Sequence, residues 1–186
     1  MVAIYNLLPL AGQITIRTAS RSDLPALEWN GEYSHFRLLY QDIYHSSLRG
    51  EAIMWLADLP AIGVIGQLFV QLISGREELA DGSHRAYIYG FRVQTGYRGQ
   101  GIGTQMLAIA EADLRQRGYG IVSLNVARDN QQARQLYERL GYRVVAAEPG
   151  RWTYLDEFGN RRQVIEPAWR MEKVIKVEEN VSIWLD

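Results

Sequence analysis

The segment spanning residues 86–118, AYIYGFRVQTGYRGQGIGTQMLAIAEADLRQRG, constrains the fold of this chain more than any other. Residues 86–93 are mostly β-branched and aromatic, which predicts a strand. Gly99, Gly101 and Gly103 then alternate with Gln100 and Ile102, and Ile102, Met106, Leu107, Ile109, Ala110 and Leu114 recur at helical spacing until Gly118. A strand that feeds a helix through a turn without bulky side chains leaves several backbone N–H groups facing one concavity. The first amides of a helix lack intrahelical partners, glycine admits a large anion, and Arg98 adds positive charge, so the turn is a phosphate site. The P-loop pattern fails and the dinucleotide pattern fits poorly. No Lys-Ser or Lys-Thr follows the glycines, and their spacing is not GxGxxG.

Arg98-Gly99-Gln100-Gly101-Ile102-Gly103 resembles the acetyl-coenzyme A signature of the GCN5-related N-acetyltransferase (GNAT) superfamily, Arg/Gln-x-x-Gly-x-Gly/Ala, with Val93 on the preceding strand. A second motif follows in register: Leu124-Asn125-Val126, then Asn130, Ala133, Leu136-Tyr137-Glu138 and Gly141-Tyr142. The resemblance covers residues 86–142 closely, and residues 14–85 and 143–177 in their order of elements. It implies an α/β fold of the acyl-CoA N-acyltransferase kind, a mixed (α+β) central sheet splayed open beside the glycine turn and flanked by about four helices.

Length and composition suit that expectation. A chain of 186 residues is about one domain and can bury a core without staples. It has no cysteine, which excludes disulfides, a thiol nucleophile and a cysteine zinc site. The three histidines, His35, His45 and His84, have no metal-binding spacing, so no metal is expected. The formal net charge of −1 gives no global attraction to nucleic acid or anionic membranes. With no signal-like N-terminus and no run of 18 apolar residues, a soluble, cytoplasmic protein is the expectation.

In chain order, residues 1–13 read as an arm, 14–177 as a single domain and 178–186 as a tail. A strand at 14–17 precedes a short helix capped by Ser20 or Ser22, with Asp23 and Pro25 in its first turn. A second helix is expected from about Glu32 to Leu48, strands at 51–59 and 62–74, and a polar loop at 75–83. After the glycine turn come a strand at 121–127, a helix capped by Asp129 or Asn130, and strands at 142–147 and 169–177. A further strand segment at 152–156 leads into a turn at 156–162.

The resemblance also implies roles. Backbone amides of Arg98, Gly99, Gln100, Gly101, Ile102 and Gly103 would hold the pyrophosphate of acetyl-CoA, the acyl donor. The strand edge at Phe91 and Val93 would take the pantetheine arm, with the Val93 amide polarising the thioester carbonyl. Asn130 and Ala133 fall among the expected cofactor contacts, with Asn130 equally readable as a helix cap. Tyr137 would contact the cofactor and act as general acid, a role suited to a phenol protonated at neutral pH. The other reading of Tyr137 is an inward-facing core tyrosine.

Residues 87–93 offer no carboxylate, so proton loss from the amine is expected through ordered water, or the amine binds already neutral. Glu32, Tyr33, Tyr89 and Tyr154, with His35, are the expected acceptor wall, and Glu32, Asp156 and Glu157 would supply an acidic mouth for a polyamine. The acceptor is a small-molecule or peptide amine, and homodimerisation is allowed. A non-catalytic acyl-CoA-binding module is the alternative, and an interaction protein using the tail around Trp184 is the third reading.

Overall fold

The computed structural model describes residues 13–175, so residues 1–12 of the arm and the whole tail with Trp184 lie outside the described residues. The chain runs β1 (Thr15–Thr18), a 3-10 helix (Arg21–Glu28), a single 3-10 turn (Ser34–Phe36), α1 (Arg37–Leu48), β2 (Ala52–Leu59), β3 (Gly63–Gln71) and β4 (Arg85–Val93). It continues through α2 (Ile102–Gln116), β5 (Ile121–Ala127), α3 (Gln131–Arg139), β6 (Arg143–Glu148), β7 (Arg151–Leu155), β8 (Arg161–Ile165) and β9 (Ala168–Val174).

Seven strands form one mixed sheet in the order β1-β2-β3-β4-β5-β9-β6, while β7 and β8 make a separate hairpin. All neighbours in the large sheet are antiparallel except β4 and β5, which the α2 crossover joins in parallel. That parallel pair is short. It runs from Arg85 opposite Ile121 to Ile88 opposite Leu124, although β4 continues to Val93 and β5 to Ala127. The sheet is therefore splayed beyond Ile88.

Helices cover both faces. On one, Ile102, Met106, Leu107, Ala110 and Leu114 of α2 are buried against Ile65, Leu68, Ile88, Val122 and Leu124. Full burial of side chains of this size stabilises by roughly 1.5–3 kcal/mol each. On the other face, Leu27, Phe36, Tyr40 and Ile43 pack with Met54, Leu56 and Phe69.

Two departures from the sequence reading have local causes. The helix expected from Glu32 starts at Arg37: after the positive φ values of Trp29, Asn30 and Gly31 (43°, 57° and 95°), Tyr33 and Phe36 lie outside helical backbone and Ser34–Phe36 close a separate 3-10 turn. The stretch expected as a turn after residue 156 closes a full hairpin. Both Phe158 and Asn160 donate backbone N–H bonds to the buried Asp156 carboxylate, and Arg162 adds an ion pair at 2.8 Å. Asp156 is thereby committed to the turn and supplies no acidic mouth.

Candidate active site

The second half of β4 lies between two unlike neighbours. On the β3 side a bulge interrupts the ladder: Gln67 pairs with Arg92 and Phe69 with Tyr89, so one residue of β3 faces Gly90 and Phe91 together. Gly90 has φ of 58°, and a Cβ there would stand 2.6 Å from the Phe69 ring. Only glycine fits.

Beyond the bulge the Gln94 N–H bonds to the Ile65 carbonyl oxygen at 2.8 Å. Successive amides of a strand point to opposite edges, so the Val93 N–H and C=O face the edge that β5 has left. Arg98 Nε donates to that Val93 carbonyl at 2.8 Å, tying the glycine turn to the strand end.

In the turn itself, Gly99 and Gly101 have φ of 75° and 81°, and nothing lies within 4 Å of where their Cβ atoms would be. Gly101 is the N-cap of α2 and provides no side-chain cap, so the first-turn amides open onto this space. A cradle of exposed amides that any side chain would fill fits a pyrophosphate group. The other positions of the motif serve differently. Ile102 is buried in the core and offers only its backbone, a Cβ at Gly103 would stand 3.1 Å from the Phe91 ring, and the Gln100 side chain bonds to the Gly96 carbonyl.

Between the splayed strands is a cavity of about 650 Å³. Phe91, Asn130, Ala133, Tyr137 and Tyr89 line it, while Val93, the glycine turn, Glu32, Tyr33 and Tyr154 lie outside its lining. Asn130 accepts a hydrogen bond from the Ala133 N–H at 3.1 Å, so it caps α3 as one of its two readings required. Tyr137 is buried with its ring edge-on to Tyr142, 5.9 Å between centroids. Burial, then the neighbouring Tyr87, push its phenol up to about 12. Tyr87 is likewise raised to about 12 by burial, and burial also raises Tyr89.

The opposite wall is aromatic. Phe36 packs against Tyr154 at 4.9 Å and Trp152 at 6.1 Å, which brings α1 and the β7–β8 hairpin together, and His35 packs on Phe36 at 4.1 Å. Tyr33 stands at this wall with its phenol raised by burial and by Glu32, which is exposed. Phe36, Gln67, Arg92 and Glu148 are among the lining residues that were not singled out from the sequence as site residues. Arg92 adjoins Val93 on a strand, so strand alternation alone would have put it on the acceptor face. Glu148 is buried and holds Arg76 at 2.9 Å and Arg170 at 3.4 Å. Among the described residues no group of three or more His, Cys, Asp or Glu is placed to hold a metal, and no helix is long and apolar enough to cross a membrane.

Comparison with known proteins agrees with this geometry: the family described as "Acetyltransferase (GNAT) family" matches residues 19–142. The chain belongs to the GNAT family. A Bacillus subtilis (strain 168) protein described as the uncharacterized N-acetyltransferase YycN is 33% identical over 89 residues, covering 48% of this GNAT chain and 54% of that relative. The alignment thus spans about half of the relative's length. Among solved structures, Ard1 from Thermoplasma volcanium superposes with a TM-score of 0.67 at 18% identity, covering 88% of this chain and 99% of that one. Arabidopsis thaliana NAA60 in complex with acetyl-CoA gives 0.66 at 21% identity, covering 87% and 98%. At these identities the superpositions establish the GNAT fold, a mixed α/β sheet splayed at its centre.

Proposed function

We propose that this protein transfers an acetyl group from acetyl-CoA to a primary amine. One observation carries the reading: the opening between β4 and β5 has an uncapped helix N-terminus with a glycine cradle at one end and a protonated, cavity-facing tyrosine within it. The NAA60 structure, which contains acetyl-CoA, shares this fold and supports the choice of donor.

Acetyl-CoA supplies an acyl group already activated as a thioester. The backbone amides of Gly99 to Gly103, with Arg98 beside them, hold its pyrophosphate. The free edge of β4 at Phe91 and Val93 binds the pantetheine amides as an added strand would, with the Val93 N–H as the donor toward the acyl oxygen. Asn130 keeps its side-chain amide N–H groups for the cofactor while its oxygen caps α3. Ala133 keeps the α3 wall of the cleft low.

Tyr137 is the proton donor to the leaving sulfur. With its phenol pushed up to about 12, it holds its proton across the physiological range, which a donor requires. The acceptor nitrogen enters along the wall of Tyr89, Phe36 and Trp152, with Tyr33, Glu32 and Tyr154 at its outer side. Glu148, the buried one of the two carboxylates that line the cavity, is bound by two arginines. Amine deprotonation therefore falls to water, or the amine binds neutral.

Thiol release from acetyl-CoA with a panel of primary amines tests the reading. Turnover that depends on both protein and amine supports it. Saturable acetyl-CoA binding without release for any amine points instead to an acyl-CoA-binding module, which the commitment of Glu148 to two arginines favours.

A further inference from the structure

Resting on the acetyltransferase reading, we infer that the acceptor carries a carboxylate beside its reactive amine, and that Arg92 with Gln67 recognises it. Arg92 and Gln67 are direct cross-strand partners on β4 and β3, and both line the cavity. Cross-strand partners share a face of the sheet, here the face that α1 covers.

Arg92 is held in place without being neutralised. Its guanidinium lies 4.2 Å from the Tyr33 ring centre and 4.9 Å from that of Phe36, and its Nη1 donates to the Tyr40 hydroxyl at 3.3 Å. Two aromatic faces and one phenol orient a cation but supply no counter-charge. Among the described residues no carboxylate lies within 4.0 Å of it, whereas Arg76, another arginine lining the cavity, is paired with both Glu78 and Glu148. Glu32, on the same wall, bears on the Tyr33 hydroxyl. A half-buried guanidinium at the lining of a cavity, with no carboxylate partner, suits a planar, two-oxygen anion.

Gln67 supplies the second group. It is fully buried, its Nε2 donates to the Gly90 carbonyl at 3.1 Å, and that bond leaves Oε1 buried without a partner. A buried amide oxygen left unpaired costs on the order of 1–3 kcal/mol, and an N–H donor in the cavity relieves it. An anion for Arg92 and an N–H for Gln67, held on adjacent strands, together describe an amine that bears a carboxylate, as a free amino acid does. A polyamine meets the opposite: an unneutralised cation, with Asp156 already consumed by the hairpin turn.

The test is acceptor choice in the thiol-release assay, comparing amino acids, their carboxamides and linear diamines at equal concentration. Each amino acid that is acetylated should exceed its carboxamide in kcat/KM by about ten- to a hundredfold, the range of a charge-assisted hydrogen bond pair. Arg92→Met should remove that preference through KM, and Arg92→Lys should restore part of it. Carboxamides or diamines matching or exceeding the carboxylates overturn the inference, as does an unchanged preference in Arg92→Met. Release with carboxamides or diamines but with no carboxylate-bearing amine also overturns it. Failure to bind acetyl-CoA, or binding without release for any amine, would instead remove the acetyltransferase reading beneath it. The wild-type comparison between acid and carboxamide stands even where a variant folds poorly.

Discussion

Ile88 on β4 stands opposite Leu124 on β5, and beyond that pair the two parallel strands share no further partners. The residues given chemical roles lie past this point: Phe91 and Val93 on the freed edge, Tyr137 in the cavity, and the glycine turn where β4 hands over to α2. A parallel pair in the middle of a sheet is normally buried and continuous, so its early parting creates main-chain donors and acceptors that the fold itself leaves unused.

Tyr137→Phe isolates the proton-donor role. Turnover should fall by about a hundredfold or more, the range for general acid catalysis, while acetyl-CoA affinity changes little. Steady-state kinetics beside calorimetric titration of the variant gives both numbers. Unchanged kcat across pH would return Tyr137 to the role of a core tyrosine.

Gly101→Val tests the cradle. The valine takes up open space at the turn and is strained at φ of 81°, so acetyl-CoA affinity should drop by about tenfold or more. Gly159→Ala is the control: φ there is 82°, with equally open surroundings, at the tip of the hairpin. Both substitutions should cost about 1–3 kcal/mol of stability in urea melts, and Gly101→Val alone should weaken binding.

Gly90→Ala addresses the bulge that sets the register of Val93. A methyl 2.6 Å from the Phe69 ring, at positive φ, should cost about 1–3 kcal/mol and lower kcat by displacing the strand end. A urea melt and a turnover assay on one preparation check both effects. Wild-type stability would show that the ring moves aside freely.

Much of this was legible in the sequence, and the exceptions have physical reasons. The strand, glycine turn and helix were readable because period and glycine positions agree there, and so were β2, β3, β5 and the Asn130 cap. The start of α1 was hidden, because periodicity does not distinguish the 3-10 turn at Ser34–Phe36 from a first helical turn. Asp156 was readable as a charge but not as a turn ligand, since its partners Phe158, Asn160 and Arg162 meet it only once the hairpin closes. Arg92 was readable by strand alternation from Val93, but its partnership with Gln67 was not. Their pairing depends on a register that the Gly90 bulge shifts by one residue.

Stability should be flat through neutrality and decline above about pH 10. Tyr87 and Tyr137 have phenols raised from 10.0 to about 12 when folded, so between those values the unfolded chain loses protons that the folded protein keeps. A raised folded pKa gives stability that is intact below pH 10 and lost as pH climbs toward 12. At pH 11 the loss is about 1 kcal/mol for each buried phenol. Urea melts at pH 8 and pH 11 measure it, and Tyr137→Phe should flatten part of the slope. A slope unchanged by that substitution would place the titration elsewhere.

The opening beyond Ile88 and Leu124 is proposed to hold acyl-CoA. Calorimetric titration of the protein with acetyl-CoA, followed by competition with CoA, tests it most directly. Saturable binding of acetyl-CoA, displaced by CoA and weakened in Gly101→Val, is the expected result. Absence of saturable binding, or binding that Gly101→Val leaves unaltered, would contradict it.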